Sequence, residues 1–422
     1  MRRHQGVIGV SSDGSSNSST IRKRQPSKKT LNRGAKKTIC ILGAATISLL
    51  FLIGVHLFLF RVLLLNEEQI INEFSSVQTK RQVTPLRQVD YEVYTIRINS
   101  WKRVDQLEAS IHHHSTCPGV VQIQVVWCMD QGLPPEFLLE YPKVIVERHD
   151  INSLQERFHI LEEAPPTYGI LSMDDDVLRP CAAIDAGFFK WTRNPDRMVG
   201  FDGRSHSISS NKKWEYAFLS ETERTNRYSL TLPRYSFIHV DYLNWYMDLL
   251  PRPIFDHVAS NFNCEDIAMS FFVSSMTDGK PPLLADKWAS VGTQIKLYSS
   301  KGGISDQVDH KSLRDKCVDE FAEQLNLKDK LQYGTYLGQG FFDCGDLNFN
   351  KDVIHSPRQE EFEAMRNSWS KMSNDKVIEL MVQMKKDAMH YAYVKGLIVD
   401  SEPWKKRWNL KSSSKKKKKK KH

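Results

Sequence analysis

Thr167-Tyr168-Gly169-Ile170-Leu171-Ser172-Met173-Asp174-Asp175-Asp176-Val177 reads as a buried strand that runs into three adjacent carboxylates. Three negative charges side by side repel one another, and each loses hydration if the strand end is covered. A positive partner belongs there. Hard oxygen ligands suit magnesium or manganese, and a divalent ion held by carboxylates can bridge to a diphosphate. A solvated acidic turn is the plain alternative, and the triplet alone does not separate the two.

The surrounding pattern gives the triplet an address. Residues 94–98 alternate as a strand, 104–114 have helical spacing, and 120–127 and 143–148 are β-branched runs. Asn152 is placed to cap a helix through Leu161. After the strand at 168–173 come a helix near 182–192, a short strand at 198–201, helices at 243–250 and 266–275, and a helical stretch over 359–389. Strands alternating with helices predict an α/β fold with a largely parallel sheet. Such sheets bind ligands beyond the carboxyl ends of their strands, which is where the triplet lies.

Two further segments carry chemistry. Glu265-Asp266 opens an apolar helical stretch, where carboxylates also complement the helix dipole. His310 and Arg314 stand four apart, on one face if their segment is helical. A surface basic patch is the simpler reading of that pair.

The chain has 422 residues and a formal net charge of +9, unevenly spread. Residues 1–37 hold ten Lys or Arg against Asp13, and residues 405–422 hold eleven with no acid, which leaves the middle near −11. The basic character belongs to the tails, and an acidic body argues against a nucleic-acid-binding core. Residues 1–37 are rich in Ser, Lys, Arg and Gly and are expected to be disordered, as is the lysine run 415–421. Residues 38–60 form a 23-residue stretch without a charge, against roughly 20 needed to span a bilayer. The basic flank precedes it, so the positive-inside rule predicts a single-pass, type II signal anchor with everything after Arg61 on the lumenal side. Cys40 lies in that stretch; Cys117, Cys128, Cys181, Cys264, Cys317 and Cys344 lie in a compartment that permits disulfides, with no pairing legible from spacing.

Taken together, the motifs resemble glycosyltransferase family 64, the exostosin-like domains, over roughly residues 91–344. The resemblance rests on Ser100-Trp101-Lys102-Arg103, Asn152-Ser153-Leu154-Gln155-Glu156-Arg157-Phe158, Met173-Asp174-Asp175-Asp176-Val177, Asn263-Cys264-Glu265-Asp266-Ile267 and the spacing of His310, Arg314 and Cys317. It implies a GT-A fold and a retaining transfer from a nucleotide-sugar, with manganese as the cofactor and magnesium as its substitute. By position it implies Asp176 as the metal ligand, and Asp174, Asp175, Arg103, Asn152 and Arg157 as donor-binding residues. It implies Asp266 beside the reacting sugar, Arg314 as the active-site arginine, and a Cys264–Cys317 disulfide. The chain departs from the family in reading Asp202-Gly203-Arg204 where members often carry a Pro-Arg pair.

The organisation expected is a basic tail (1–37), a membrane anchor (38–60), a stem (61–89), a glycosyltransferase domain (90–345) and a partly helical extension (346–422). The activity expected is transfer of a single sugar, N-acetylhexosamine, to a glycan or glycolipid in the Golgi or endoplasmic reticulum. The rivals are a GDP-mannose-dependent enzyme acting on a sphingolipid and a catalytically silent membrane scaffold of the same fold. No nucleic-acid partner is expected.

Overall fold

The computed structural model describes residues 48, 50–57, 88–161, 163–297, 309–335, 341–342 and 356–397. The chain divides into two units, Met1–Val83 and Thr84–His422. In the first, residues 48 and 50–57 are helical. Among the described residues no helix is long and apolar enough to cross a membrane. The basic tail, most of the anchor, the stem through residue 87, Cys40, Cys344 and the lysine run lie outside the described residues.

The second unit is built on a seven-stranded sheet. Its first strands are β1 (Tyr94–Ser100), β2 (Val120–Cys128), β3 (Val144–His149) and β4 (Gly169–Asp174). Across the sheet the order is Leu283–Leu284, Val199–Gly200, Tyr235–His239, β4, β1, β2, β3. The β4–β1–β2–β3 half is parallel, whereas Tyr235–His239 runs antiparallel to β4 and to Val199–Gly200. The architecture is therefore mixed α/β with a parallel-rich sheet, as the alternation of strands and helices predicts. β1 and β4 are buried along nearly their whole length; β1 nevertheless alternates, because its inward polar residues Thr95 and Arg97 are hydrogen-bonded to Thr167 and Glu147. Gly200 has no room for a side chain: a Cβ there would collide with Thr231.

Helices Val104–Ser115 and Cys181–Thr192 lie near their expected bounds. The Cys117–Cys181 disulfide joins the segments that hold their opposite ends. The helix expected over 152–161 is instead a short 3₁₀ turn, Leu154–Phe158, and its cap is Ser153 rather than Asn152, with the Ser153 hydroxyl accepting from the Gln155 amide at 3.3 Å. A contact from β1 competes with the helix: Arg97 takes the carbonyls of Arg157 and His159, at 3.2 and 2.8 Å, and the first of these is the acceptor a helix through Leu161 would give to the Leu161 amide.

The stretch after residue 345 joins the main core. The helix expected at 359–389 is two helices, Pro357–Ser370 and Asn374–Val394, the second capped by Ser373. Phe362, Trp369, Val377 and Met381 pack in the same apolar cluster as β1, β2 and helix Cys181–Thr192. Ion pairs Arg358–Asp185 and Arg366–Asp286, each at 2.6 Å, fasten the first of these helices.

Candidate active site

Parallel β1 and β4 end side by side, with Asn99 opposite Asp174. This puts the acidic triplet beside the Ser100–Arg103 loop. Lys102 in that loop adopts a left-handed backbone (φ 56°), costly for a non-glycine residue, and it turns Arg103 back over the triplet. Arg103 reaches Asp175 at 2.6 Å and Asp176 at 3.1 Å. The Ser100 hydroxyl donates to the other Asp175 oxygen at 2.6 Å. The Asp176 carbonyl accepts from the Leu297 amide at 2.9 Å, and the Asp174 amide donates to the Arg234 carbonyl at 2.9 Å, so the turn is pinned at both ends.

The second acidic segment arrives from across the sheet. Helix Glu265–Met276 begins after Cys264, again in a left-handed backbone (φ 72°). Cys264 is bonded to Cys317 in helix His310–Gln324, which also carries Arg314. Arg314 Nη2 lies 2.6 Å from Asp266 Oδ2, its Nη1 donates to Asn263 Oδ1 at 3.4 Å, and its guanidinium lies over the Tyr216 ring at 4.2 Å. Arg157 spans the two acidic segments, 2.6 Å from Asp174 and 4.0 Å from Glu265. An alternating series results: Arg103, Asp175 and Asp176, Asp174, Arg157, Glu265 and Asp266, Arg314.

Burial sets the protonation of these acids. It pushes Asp175 up to about 7, against the opposing pull of Arg103 and Ser100. It raises Asp176 as well, with Asp174 adding to the effect. Glu265 is pushed up to about 7 by burial and by the neighbouring Asp266. Burial would also raise Asp266, but the charge and hydrogen bond of Arg314 outweigh it and hold that carboxyl below the usual range. Of the pair, Asp266 is thus the anion near neutral pH and Glu265 is poised to titrate.

The residues fit a cation and an anionic ligand together. Among the described residues Asp176 Oδ1 is buried without a hydrogen-bond donor, and Arg157 Nε and Arg314 Nε are buried without an acceptor. A carboxylate oxygen lacking a donor suits a hard divalent ion, and guanidinium groups with open valence suit phosphate. Asp174 and Asp176 keep 22% and 25% of their side-chain surface, so the place opens to solvent.

The structure thus gathers Arg103, Arg157, Asp174, Asp175, Asp176, Asp266 and Arg314, and forms the Cys264–Cys317 bond. Asn152 stands half-buried in the loop before the Arg157 turn. Asp175 is fully buried, with its oxygens turned to Ser100 and Arg103 rather than outward. Sequence reasoning passed over Arg234, which pairs with buried Asp202 at 2.9 Å, and Asn263, whose signal was its place inside the Asn263–Asp266 motif. Arg234 stands in no motif and carried no signal.

Two acidic segments bridged by arginines at the strand ends of a mixed α/β sheet are the class of site that this geometry defines. Residues 94–335 match the Glycosyl transferase family 64 domain. The chain belongs to glycosyl transferase family 64. It is 32% identical over 250 residues to glycosylinositol phosphorylceramide mannosyl transferase 1 of Arabidopsis thaliana, covering 55% of this chain and 72% of the relative. It is 30% identical to exostosin-2 of Homo sapiens over 56% of this chain and 33% of the relative, so the likeness spans about a third of that longer protein. It is 27% identical to glucosamine inositolphosphorylceramide transferase 1 of Oryza sativa subsp. indica over 52% of this chain and 29% of the relative.

Proposed function

We propose that the chain is a metal-dependent, retaining glycosyltransferase of GT-A type that moves one sugar from a nucleotide-sugar to a glycan or glycolipid. The observation that carries this reading is the alternating series of acids and arginines from Arg103 to Arg314, with open valences on Asp176, Arg157 and Arg314. Asp176, with Asp174 beside it, would hold manganese, or magnesium in its place. A bound divalent ion supplies a Lewis acid for the departing diphosphate.

The protein's own groups do the rest. Arg157 and Arg314 bind and orient the diphosphate, and Asp175 holds Arg103 in place. Breaking the glycosidic bond leaves positive charge on the sugar ring and negative charge on the leaving group. Asp266, kept ionised by Arg314, answers the first charge, and Arg314 answers the second. The acceptor hydroxyl forms the new bond from the face that the diphosphate leaves, and a diphosphate oxygen takes its proton.

The Arabidopsis relative, matched over 72% of its length, favours a second donor reading: GDP-mannose in place of a UDP-N-acetylhexosamine, with an inositol phosphorylceramide as acceptor. We place the chain as a type II protein of the Golgi or endoplasmic reticulum. That placement is supported by the uncharged stretch 38–60 behind a basic tail and by two disulfides in the body. The test is incubation of the full chain with manganese and UDP- or GDP-sugars, following nucleotide release and the anomeric configuration of the product. Release of nucleotide from no donor, with metal and lipid acceptor present, would leave only a silent scaffold.

A further inference from the structure

Behind the Arg157 turn lies a buried charged chain that the transfer chemistry does not use. Arg97 on β1 holds Glu147 on β3 through two bonds, at 2.7 and 3.1 Å, and takes Gln124 on β2 at 2.7 Å. Glu147 lies 2.7 Å from His149 Nε2. His149 Nδ1 lies 2.6 Å from Glu156 Oε2, and His159 Nδ1 lies 3.0 Å from the same oxygen. Glu156 belongs to the 3₁₀ turn Leu154–Phe158, directly before Arg157. Arg97 meanwhile takes the carbonyls of Arg157 and His159. The turn is therefore gripped on both sides of Arg157 by one network rooted in β1 and β3.

His149, Glu156 and His159 also offer a set of possible metal-ligand atoms. The separations favour a proton. Two ligands on one tetrahedral zinc stand about 3.3 Å apart, from metal–ligand bonds of roughly 2.0–2.1 Å. His149 to Glu156 is 2.6 Å, a charge-assisted hydrogen-bond length. An imidazole whose two nitrogens both face carboxylates is satisfied only as the imidazolium, which donates at each.

We propose that His149, as an imidazolium bridging Glu147 and Glu156, is a positioning residue for the donor nucleotide: it locks the turn that presents Arg157 to Asp174. The proposal rests on the nucleotide-sugar reading of the site. His149 touches no substrate and acts through Glu156 and the turn.

The groups that face His149 agree on the direction. Burial alone would lower its pKa, but Glu147 and Glu156 outweigh burial and raise it. The two acids are held low by His149, with Arg97 acting also on Glu147 and His159 on Glu156. Cys128 on β2 is pushed up to about 11 by burial and stays a neutral thiol; Gln124 is neutral at any pH. A group raised in the folded state contributes fully below its unfolded value near 6.5 and is lost as pH rises through the folded value. The clamp is thus closed in mildly acid conditions and loosens on the alkaline side.

The test uses the full chain and His149→Gln between pH 5.5 and 8.5. Amide exchange in residues 150–161, corrected for intrinsic rate, reports the turn; donor KM against kcat reports its consequence. The expected result is protection in the wild type that declines as pH rises, with donor KM rising in step and kcat changing less than about two-fold. In His149→Gln at pH 6, protection is already low and donor KM is raised about ten-fold or more, because small misplacements of a positioning group are costly. Glu156→Gln should reproduce this, and in neither variant should protection at 150–161 respond to pH in that range, while donor KM keeps only the pH response that Asp175 and Glu265 give it. If His149→Gln melts with the wild type and keeps its protection at 150–161 and its donor KM, the proposal is overturned. If the turn behaves as described while the wild type turns over no nucleotide-sugar, the donor reading has failed instead.

Discussion

Arg314 and Asp266 meet as a buried ion pair, Nη2 to Oδ2 at 2.6 Å, across two helices that the Cys264–Cys317 bond also joins. Each group keeps the other charged in a place where water is scarce. A buried pair broken on one side leaves an uncompensated charge, at about 3–5 kcal/mol. Asp266→Asn should therefore lower the melting temperature and cut turnover by roughly 10²–10³, the scale of losing an electrostatic partner of the transition state. Arg314→Lys keeps the charge but loses the fork, and should fold nearly normally while losing turnover on a similar scale. Thermal unfolding and single-turnover rates read both. Wild-type rates in either variant would remove these residues from the chemistry.

If Asp176 holds a cation as proposed, Asp176→Asn should separate cation binding from folding. Asp176 is a quarter exposed, and its ion pair with Arg103 is the longer of the two that Arg103 makes. The variant should melt within a few degrees of the wild type, because partly exposed pairs contribute little. Addition of manganese with a nucleoside diphosphate should raise the wild-type melting temperature and leave that of the variant unmoved, since only a ligand of the folded state stabilises it. An equal shift in both would place the cation elsewhere.

Much of this site was legible in the sequence, and the reasons are physical. β4 is buried up to Asp174, so its apolar run and the acids ending it stand out in any reading. Helix Glu265–Met276 begins on its two acids and is apolar beyond them, a start that residue types alone reveal. The turn carrying Arg157 reads from sequence as a longer helix, because the contact that competes with it comes from Arg97, some sixty residues earlier and visible only in three dimensions. Arg234 carries no sequence signal for a similar reason: its partner Asp202, 32 residues earlier, meets it only where the antiparallel strands Val199–Gly200 and Tyr235–His239 pair. The Cys117–Cys181 bond was likewise beyond reach, since spacing does not determine pairing.

Glu265 gives the site a pH signature. Its carboxyl is pushed up to about 7 by burial and by Asp266, from an ordinary value near 4.5. The folded state thus prefers the protonated acid. That contribution is complete below about pH 4.5, is lost as pH rises toward 7, and stays lost above. Glu265→Gln, which cannot ionise, should match the wild type in stability near pH 5 and exceed it at pH 8 by on the order of 2 kcal/mol. Denaturant unfolding at the two pH values measures this. A variant less stable than the wild type at pH 8 would mean that the Glu265 charge is needed by Arg157, 4.0 Å away.

The helices beyond the family match should be indispensable to the site. Trp369 packs 5.2 Å from Trp288 at the ring centres, and Arg366 pairs with Asp286 at the start of the same buried turn. The Ala289 and Ser290 carbonyls in that turn accept from Arg179, and the strand Ile295–Lys296 that follows pairs with Val177–Leu178, directly after the acidic triplet. Support therefore passes from helix Pro357–Ser370 to the acidic triplet through packed, hydrogen-bonded segments. Trp369→Ala should cost about 3–5 kcal/mol, the scale for deleting a large buried ring. Ending the chain at residue 345 removes Phe362, Trp369, Val377 and Met381 from the main core together, and residues 84–345 should then fail to give a cooperative melt, whereas residues 84–422 give one. Calorimetry on the two fragments decides the matter: a cooperative transition in the shorter one at the temperature of the longer would show that the triplet stands without that support.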